Sequence, residues 1–226
     1  MRIINYFRTL SKFEFALWVS STSVVTVSFF ITGQGVLNLI ASLIGVTALI
    51  FLAKGMIFGQ VLSIVFSVLY GIISYKFGYY GEMITYLFMT LPMAAISTIE
   101  WLKNPYKDSN VVKISRINKK SVAIMIVLAI ITTLIFYFLL KFLNTQNLVF
   151  STISITTSFI AAYLTALRSP YFALGYAAND IVLIVLWLLA SIKDISFAPM
   201  VACFIMFLFN DLYGFVNWRR LQRWQK

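Results

Sequence analysis

The chain has 226 residues, of which 61% are hydrophobic and only 11% are charged, and its formal net charge is +11. Soluble domains carry about 45–50% apolar and about 25% charged residues, so this composition excludes an ordinary water-soluble protein and indicates one solvated by lipid. One cysteine and no histidine argue against an internal disulfide and against a zinc or haem site.

Eight apolar runs have the length needed to cross a bilayer, which is roughly 17–25 residues. Glycine, proline or charged residues break the chain between them, as in Gly33-Gln34-Gly35, Lys76-Phe77-Gly78 and Arg168-Ser169-Pro170. The first run lacks a convincing cleavage site, so we interpret it as a retained helix rather than a signal peptide. We predict an all-α membrane protein with helices over 14–32, 36–53, 56–75, 81–102, 121–143, 148–166, 170–191 and 196–217.

The 18 basic residues are divided unevenly between the two ends of these spans. Eight spans place both termini on one side and leave only Lys76, Lys141 and Lys193 on the other. The remaining fifteen are Arg2, Arg8, Lys12, Lys54, Lys103, Lys107, Lys113, Arg116, Lys119, Lys120, Arg168, Arg219, Arg220, Arg223 and Lys226. Because basic loops stay in the cytoplasm, we predict a multi-pass inner (plasma) membrane protein with both termini cytoplasmic. The net charge then needs no nucleic-acid partner.

Two parts of the sequence have the same layout, which indicates an internal repeat. Each part contains three spans, and the third span ends in a tryptophan that we expect to anchor the membrane interface. The aligned residues are Lys54 with Arg168, Gly59 with Gly175, and Trp101 with Trp218. One intervening span makes the two repeats parallel, which is a transporter architecture.

This layout predicts five regions along the chain. They are an N-terminal segment with an extra helix (1–35), a first three-helix repeat (36–102), a loop and linker helix (103–147), a second three-helix repeat (148–218) and a basic tail (219–226).

Polar side chains within the last two spans are candidates for a binding site, because burying them in hydrocarbon is costly. Asn179 and Asp180 lie near the middle of the seventh span, and Asn210 and Asp211 form a second pair in the eighth. We expect these pairs to face the protein interior or a cavity. The alternative for each pair is a hydrogen bond that only joins helices.

Further candidates lie in the first repeat. Gln60, Ser63, Ser67 and Tyr70 are spaced by three, four and three residues, which places them on one face of the third span. Close helix packing is the alternative explanation for this face.

The fourth span adds Tyr86 and Thr90 and contains Pro92, which predicts a kink that suits either a hinge or packing. Trp187, deeper in the seventh span, is placed either to stack on a ligand ring or to pack. The sequence contains no phosphate-binding loop for ATP and no catalytic constellation. We therefore expect neither an enzyme nor a cofactor.

Two stretches resemble the PnuC family of vitamin transporters: ISYKFGYYGEM within the region from Lys54 to Trp101, and NDLYGFVNWRR near the C-terminus. The resemblance covers about residues 36–220. It implies the three-one-three layout, similar to the SWEET sugar transporters, and facilitated diffusion of nicotinamide riboside that an intracellular kinase then traps by phosphorylation. It also suggests a homo-oligomer.

One family pattern is incomplete in this chain. The family carries W-x-x-W-x-x-x-[DN] in the middle helix of the second repeat, where this chain has Ala173, Tyr176 and Asp180. Loss of both tryptophans leaves other nucleoside-like substrates open, namely thiamine, riboflavin or deoxynucleosides. A substrate-binding membrane subunit of an energy-coupled transporter is a further alternative.

The predicted substrate site lies near mid-membrane between the two repeats. Its candidate residues are Gln60, Ser63, Ser67, Tyr70, Tyr86, Thr90, Tyr176, Asn179, Asp180, Trp187, Asn210 and Asp211. Amide and carboxylate groups match the hydroxyls of a ribose. A buried carboxylate together with Tyr176 or Trp187 would favour the positive ring of nicotinamide riboside.

Overall fold

A computed structural model of the chain describes residues 6–32, 35–76, 78–107 and 109–226, without the side chains of Thr32 and Ser196. The predicted positions Arg2, Gly33, Gln34 and Phe77 lie outside the described residues. Within the described ranges, eight helices are long and apolar enough to cross a membrane, as predicted. They are α1 (Lys12–Thr32), α2 (Val36–Ala53), α3 (Ile57–Lys76), α4 (Tyr80–Lys103), α5 (Lys119–Phe142), α6 (Leu148–Ala166), α7 (Phe172–Lys193) and α8 (Ala198–Trp224).

The predicted boundaries agree with these helices to within two residues, except at the end of α8. The prediction stopped at residue 217, where charged residues begin, but α8 continues to Trp224. Arginine and glutamine are good helix formers, and the last turns have a surface to pack against. The Trp224 ring lies 4.9 Å from that of Tyr106, and Gln225 Nε2 donates to the Val112 carbonyl at 3.0 Å. The expected tail is therefore mostly helix.

α4 is not a uniform α-helix. A π-helical segment, Thr85–Thr90, separates α-helical pieces over Tyr80–Ile84 and Leu91–Lys103. The predicted distortion at Pro92 takes this form because proline has no N–H to donate and its ring clashes with the carbonyl four residues earlier. The wider π turn accommodates that loss, and such segments are common at functional sites.

The turns that follow α2, α4 and α6 meet at one end of the bundle, which we call the basic end. Val112 N, in the loop after α4, donates to the Gly55 carbonyl at 2.9 Å. Ser115 N, in the same loop, donates to the Arg168 carbonyl at 3.0 Å. Together with the bond from Gln225 to Val112, these bonds bring the end of α8 next to the three turns. The distribution of basic residues predicts that these turns lie on the same side of the membrane.

Reciprocal tryptophan contacts join the two predicted repeats at the basic end. Trp101 Nε1, on α4, donates to the Thr165 carbonyl of α6 at 3.0 Å. Trp218 Nε1, on α8, donates to the Leu52 carbonyl of α2 at 2.8 Å. Leu52 and Thr165 are each the second-last residue of their helix. The two bonds occupy equivalent positions in the two predicted repeats, which supports the proposed division of the chain into repeats.

The two tryptophan side chains do not anchor the membrane surface as the sequence suggested. Trp101 and Trp218 are each 0% exposed, and their ring centroids lie 5.3 Å apart. Each indole N–H has a carbonyl of the opposite repeat as its partner, which lets the whole ring be buried. The expectation of interfacial anchoring was therefore wrong for this pair.

Two aligned glycines allow equivalent helices to approach closely. A Cβ at Gly59 of α3 would lie 2.5 Å from the backbone nitrogen of Leu52, and one at Gly175 of α7 would lie 2.9 Å from the Cα of Ala161. Any side chain at either position would force the first two helices of that repeat apart. Small residues at such crossings are typical of membrane helices.

The two helices outside the repeats lie at the periphery. α1 is held by polar contacts, among them an ion pair between Glu14 and Lys54 at 2.9 Å. α5 leaves most of its residues exposed, and among them only Ala129 and Leu140 are buried. The central space is thus left to the six helices of the repeats.

Candidate functional site

A cavity lies between the two predicted repeats, and all six of their helices contribute to its wall. The volume available to the centres of water molecules is about 70 Å³, several times the roughly 10–15 Å³ that one water requires. The polar residues that line it are Gln60, Ser63, Tyr86, Thr90, Ser158, Thr165, Tyr176, Asn179, Asp180 and Asp211. The other lining residues are Gly45, Ala48, Leu49, Leu52, Phe66, Phe204 and Phe207.

An acidic pair is the main electrostatic feature of this cavity. Asp180 on α7 and Asp211 on α8 are each 4% exposed, and both line the cavity close enough to interact electrostatically. Two negative charges buried near each other repel, so the pair favours a shared proton or a bound cation. Among the described residues, no lysine or arginine lines the cavity. The site is therefore suited to a cationic ligand and unsuited to an anionic one.

Hydrogen-bonding groups beside the acids remain available to a ligand. Asn179 Oδ1 accepts from Ser154 Oγ at 3.1 Å and from Thr157 Oγ1 at 2.9 Å, which leaves the Nδ2 donor as the other polar group of that side chain. Gln60 Nε2 and Asp180 Oδ2 are buried and have no hydrogen-bond partner in the described part of the chain. The wall thus offers amide donors and a carboxylate acceptor, as a polyhydroxylated ligand requires.

An aromatic layer closes the cavity on the side away from the basic end. The Tyr86 ring, which lines the cavity, lies 4.3 Å from the ring of Tyr70. Trp187 Nε1 donates to Tyr70 Oη at 2.9 Å, and the Trp187 ring lies 5.0 Å from Tyr79 and 5.6 Å from Phe197. Tyr79 and Phe197 belong to the turns at the opposite end of the bundle. This layer therefore separates the cavity from that end.

The structure brings eight of the twelve predicted site residues to the cavity wall. These are Gln60, Ser63, Tyr86, Thr90, Tyr176, Asn179, Asp180 and Asp211. Tyr70 and Trp187 lie one layer further out, behind Tyr86. Ser67 Oγ donates to the Ser63 carbonyl at 2.8 Å and does not line the cavity.

Asn210 lies on a different face from its neighbour Asp211. Asn210 Nδ2 donates to Ser21 Oγ of α1 at 3.0 Å and to the Met206 carbonyl at 2.7 Å. This contact corresponds to the helix-joining alternative that the sequence left open. Asp211, one residue later, reaches the cavity.

Sequence reasoning missed the contribution of α6. Ser158 and Thr165, both on α6, line the cavity. Ser154, Ser158 and Thr165 are separated by four and seven residues, which places them on one helical face. That spacing was a usable signal of a polar stripe toward the interior.

The comparisons with known proteins give a consistent result. Residues 35–220 match the family described as nicotinamide mononucleotide transporter. A curated relative, the nicotinamide riboside transporter PnuC of Neisseria mucosa, is 25% identical over 188 residues, which cover 80% of this chain and 71% of that protein.

A solved structure has the same fold. The crystal structure of the vitamin B3 transporter PnuC matches with a TM-score of 0.83 at 22% identity, over 96% of this chain and 94% of that one. The all-helical prediction and the resemblance to PnuC are thereby confirmed. With eight apolar helices and a family match over most of its length, this chain belongs to the PnuC, or nicotinamide mononucleotide transporter, family of membrane transporters and is not an enzyme.

Proposed function

We propose that the chain carries nicotinamide riboside across the inner membrane by facilitated diffusion, with the acidic cavity as its substrate site. The observation that supports this most strongly is the presence of both Asp180 and Asp211 in a cavity lined, among the described residues, by no basic side chain. Nicotinamide riboside carries one positive charge on its ring and none on its ribose. Its charge therefore complements that of the acidic pair.

The same chemistry distinguishes the riboside from the mononucleotide that the family description names. A phosphate would add negative charge beside the two carboxyl groups. At about 4 Å and an effective dielectric constant of about 20, each such pair of like charges costs roughly 4 kcal/mol. The cavity thus favours the dephosphorylated molecule, in agreement with the name of the Neisseria mucosa relative.

The incomplete tryptophan pattern is compatible with this substrate. Ala173, at the first tryptophan position, is 0% exposed and packs with Leu52, Trp101 and Trp218 rather than lining the cavity. Tyr176, at the second position, lines the cavity and keeps an aromatic face available. An aromatic ring beside a cationic ring contributes about 0.5–2 kcal/mol. Only one of the two replacements therefore touches the proposed site.

Transport requires the cavity to open to each side in turn. The aromatic layer closes it toward one end, and the Trp101–Trp218 contact lies toward the other. Rocking of the two repeats about the central site would open one closure at a time, as in other transporters built from repeats. We place the basic end in the cytoplasm from the charge distribution. A kinase there would trap the riboside, and assembly as a homo-oligomer is part of the same proposal.

Thiamine is the second candidate, because its positively charged thiazolium ring would also complement the acidic pair. Riboflavin and deoxynucleosides carry no such charge and are less well matched. Binding of each compound to the purified protein, followed by calorimetry, tests this ranking. We expect nicotinamide riboside to bind most tightly and the mononucleotide not to compete with it. Preferential binding of an uncharged deoxynucleoside would contradict the proposal.

The alternative of a binding subunit makes a different prediction. We expect purified protein in liposomes that contain a nicotinamide riboside kinase and ATP to accumulate labelled nucleotide without any other protein. Binding without accumulation would favour a subunit that needs an external energy-coupling module.

A further inference from the structure

A polar cleft at the basic end lies apart from the transport cavity. The loop after α4, the turn between α6 and α7, and the last turns of α8 form its walls. Arg116, Arg219 and Lys226 line it, and none of the described residues that line it is acidic. Three cationic side chains thus line one concave surface, and no described side chain of that surface carries a carboxylate to balance them.

Arg168, which is partly exposed, adds to this excess of positive charge. Arg168 belongs to the same turn, where its carbonyl accepts from Ser115 N at 3.0 Å and the next residue, Ser169, lines the cleft. Arg168 Nε and Nη1 are buried, and no described residue accepts a hydrogen bond from them. Two guanidinium nitrogens buried without an acceptor are costly, so an anion bound nearby would stabilise this end of the protein.

Neutral groups in the cleft match the remainder of a nucleotide. Ser115 and Ser169 line it and carry hydroxyl groups, whereas the Gln222 amide is already engaged, with Oε1 accepting from Arg219 at 3.0 Å and Nε2 donating to the Ser115 carbonyl at 3.5 Å. The Tyr171 ring is 45% exposed, and the Arg219 guanidinium lies 5.8 Å from its centroid. Arginine with hydroxyl donors binds phosphate, and an exposed tyrosine face accepts a base by stacking.

We propose that this cleft binds the phosphate monoester of the transported nucleoside, nicotinamide mononucleotide, which the acidic cavity disfavours. The identity of the ligand rests on the proposed function, because phosphorylation of the riboside gives this compound on the cytoplasmic side. The two sites have opposite charge, so each selects one of the two forms.

Occupancy of the cleft would affect transport. Tyr171 immediately precedes α7, which carries Asp180, and Arg219 lies on α8, which carries Asp211. A ligand that contacts these residues and also Arg116, in the loop that follows α4 of the first predicted repeat, would link the two repeats at this end and oppose the rocking that opens the cavity. Accumulated product would then slow further uptake of the riboside.

Calorimetric titration of the purified protein with nicotinamide mononucleotide tests the proposal. We expect the mononucleotide to bind even in saturating riboside, and to bind the Asp180→Asn variant as well. In the double variant Arg116→Gln/Lys226→Gln its affinity should fall at least about tenfold, which is the scale for lost charged hydrogen bonds. Neither position is buried, so the fold should survive, and riboside affinity should not change. Arg223→Gln, an exposed residue of α8 outside the cleft, is the matched control and should bind normally.

Three results would overturn the proposal. Displacement of the mononucleotide by riboside, with loss of binding in Asp180→Asn, would place it in the transport cavity. An equal loss in Arg223→Gln would indicate general charge attraction. Absence of mononucleotide binding would also contradict it. If nanodiscs of phosphatidylglycerol then raised the thermal stability of the protein, and the double variant lost this effect, the cleft would be assigned to a lipid headgroup. Failure of riboside binding alone, with intact mononucleotide binding, would instead reject the proposed function.

Discussion

Replacing Asp180 by asparagine separates a binding role from a structural one. The substitution keeps the shape of the side chain, removes one negative charge and supplies an amide donor to Asp211. Because the two buried carboxyl groups line one cavity and repel each other when both are charged, the variant should lose a repulsion within the folded protein. We therefore expect its thermal stability to stay constant or rise.

Ligand affinity should change in the opposite direction. Asp180 Oδ2 is buried and has no partner in the described structure, so a ribose hydroxyl or the positive ring would provide its first counterpart. Losing that interaction should cost about 1–3 kcal/mol of binding, which is roughly tenfold to a hundredfold in affinity. Calorimetric titration with nicotinamide riboside and a melting curve should be recorded on the same sample.

A matched control comes from the neighbouring acid–amide pair. Asn210→Ala removes the bond to Ser21 of α1 and should lower stability by about 1 kcal/mol without changing affinity. The reasoning is refuted if Asp180→Asn melts at a lower temperature and binds the riboside as tightly as the unaltered protein. That result would assign the acidic pair to packing.

Further predictions concern orientation and the contact between repeats. In a Cys203→Ser background, cysteines replacing the exposed Lys107 and Lys193 should differ in labelling by an impermeant thiol reagent outside intact cells: only the cysteine at 193 should react. Labelling at 107 alone would show that the orientation is opposite to the predicted one. Trp218→Phe should destabilise the protein by about 1–3 kcal/mol, because the buried Leu52 carbonyl loses the indole donor. An unchanged melting temperature would show that this bond contributes nothing.

Hydropathy predicted the spans well because hydrocarbon thickness fixes helix length. It did not predict where α8 ends, since the final turns leave the apolar region and are stabilised by packing on the α4–α5 loop. Pro92 predicted a distortion of α4, but not that it would be a π-helical segment reaching back to Thr85. Hydropathy reports the solvent around a helix and says little about the contacts of its ends.

The candidate site was predictable in part, because polar side chains in hydrocarbon must turn inward. Helical spacing identifies a face but not a depth, so Ser67 and Tyr70 share the face of Gln60 and lie beyond the cavity. Neighbouring residues point about 100° apart on a helix. Asp211 therefore reaches the cavity while Asn210 contacts α1.

Counterflow in proteoliposomes tests the central claim most directly. Vesicles loaded with unlabelled nicotinamide riboside, with proton and sodium gradients collapsed, should take up labelled riboside transiently above its equilibrium level. A carrier that only equilibrates its substrate needs no other driving force, and a ligand moves the conformational equilibrium only through differential binding. Vesicles loaded with the mononucleotide should drive no such exchange. Loss of riboside counterflow on collapsing the ion gradients, or equal exchange driven by the mononucleotide, would contradict the account.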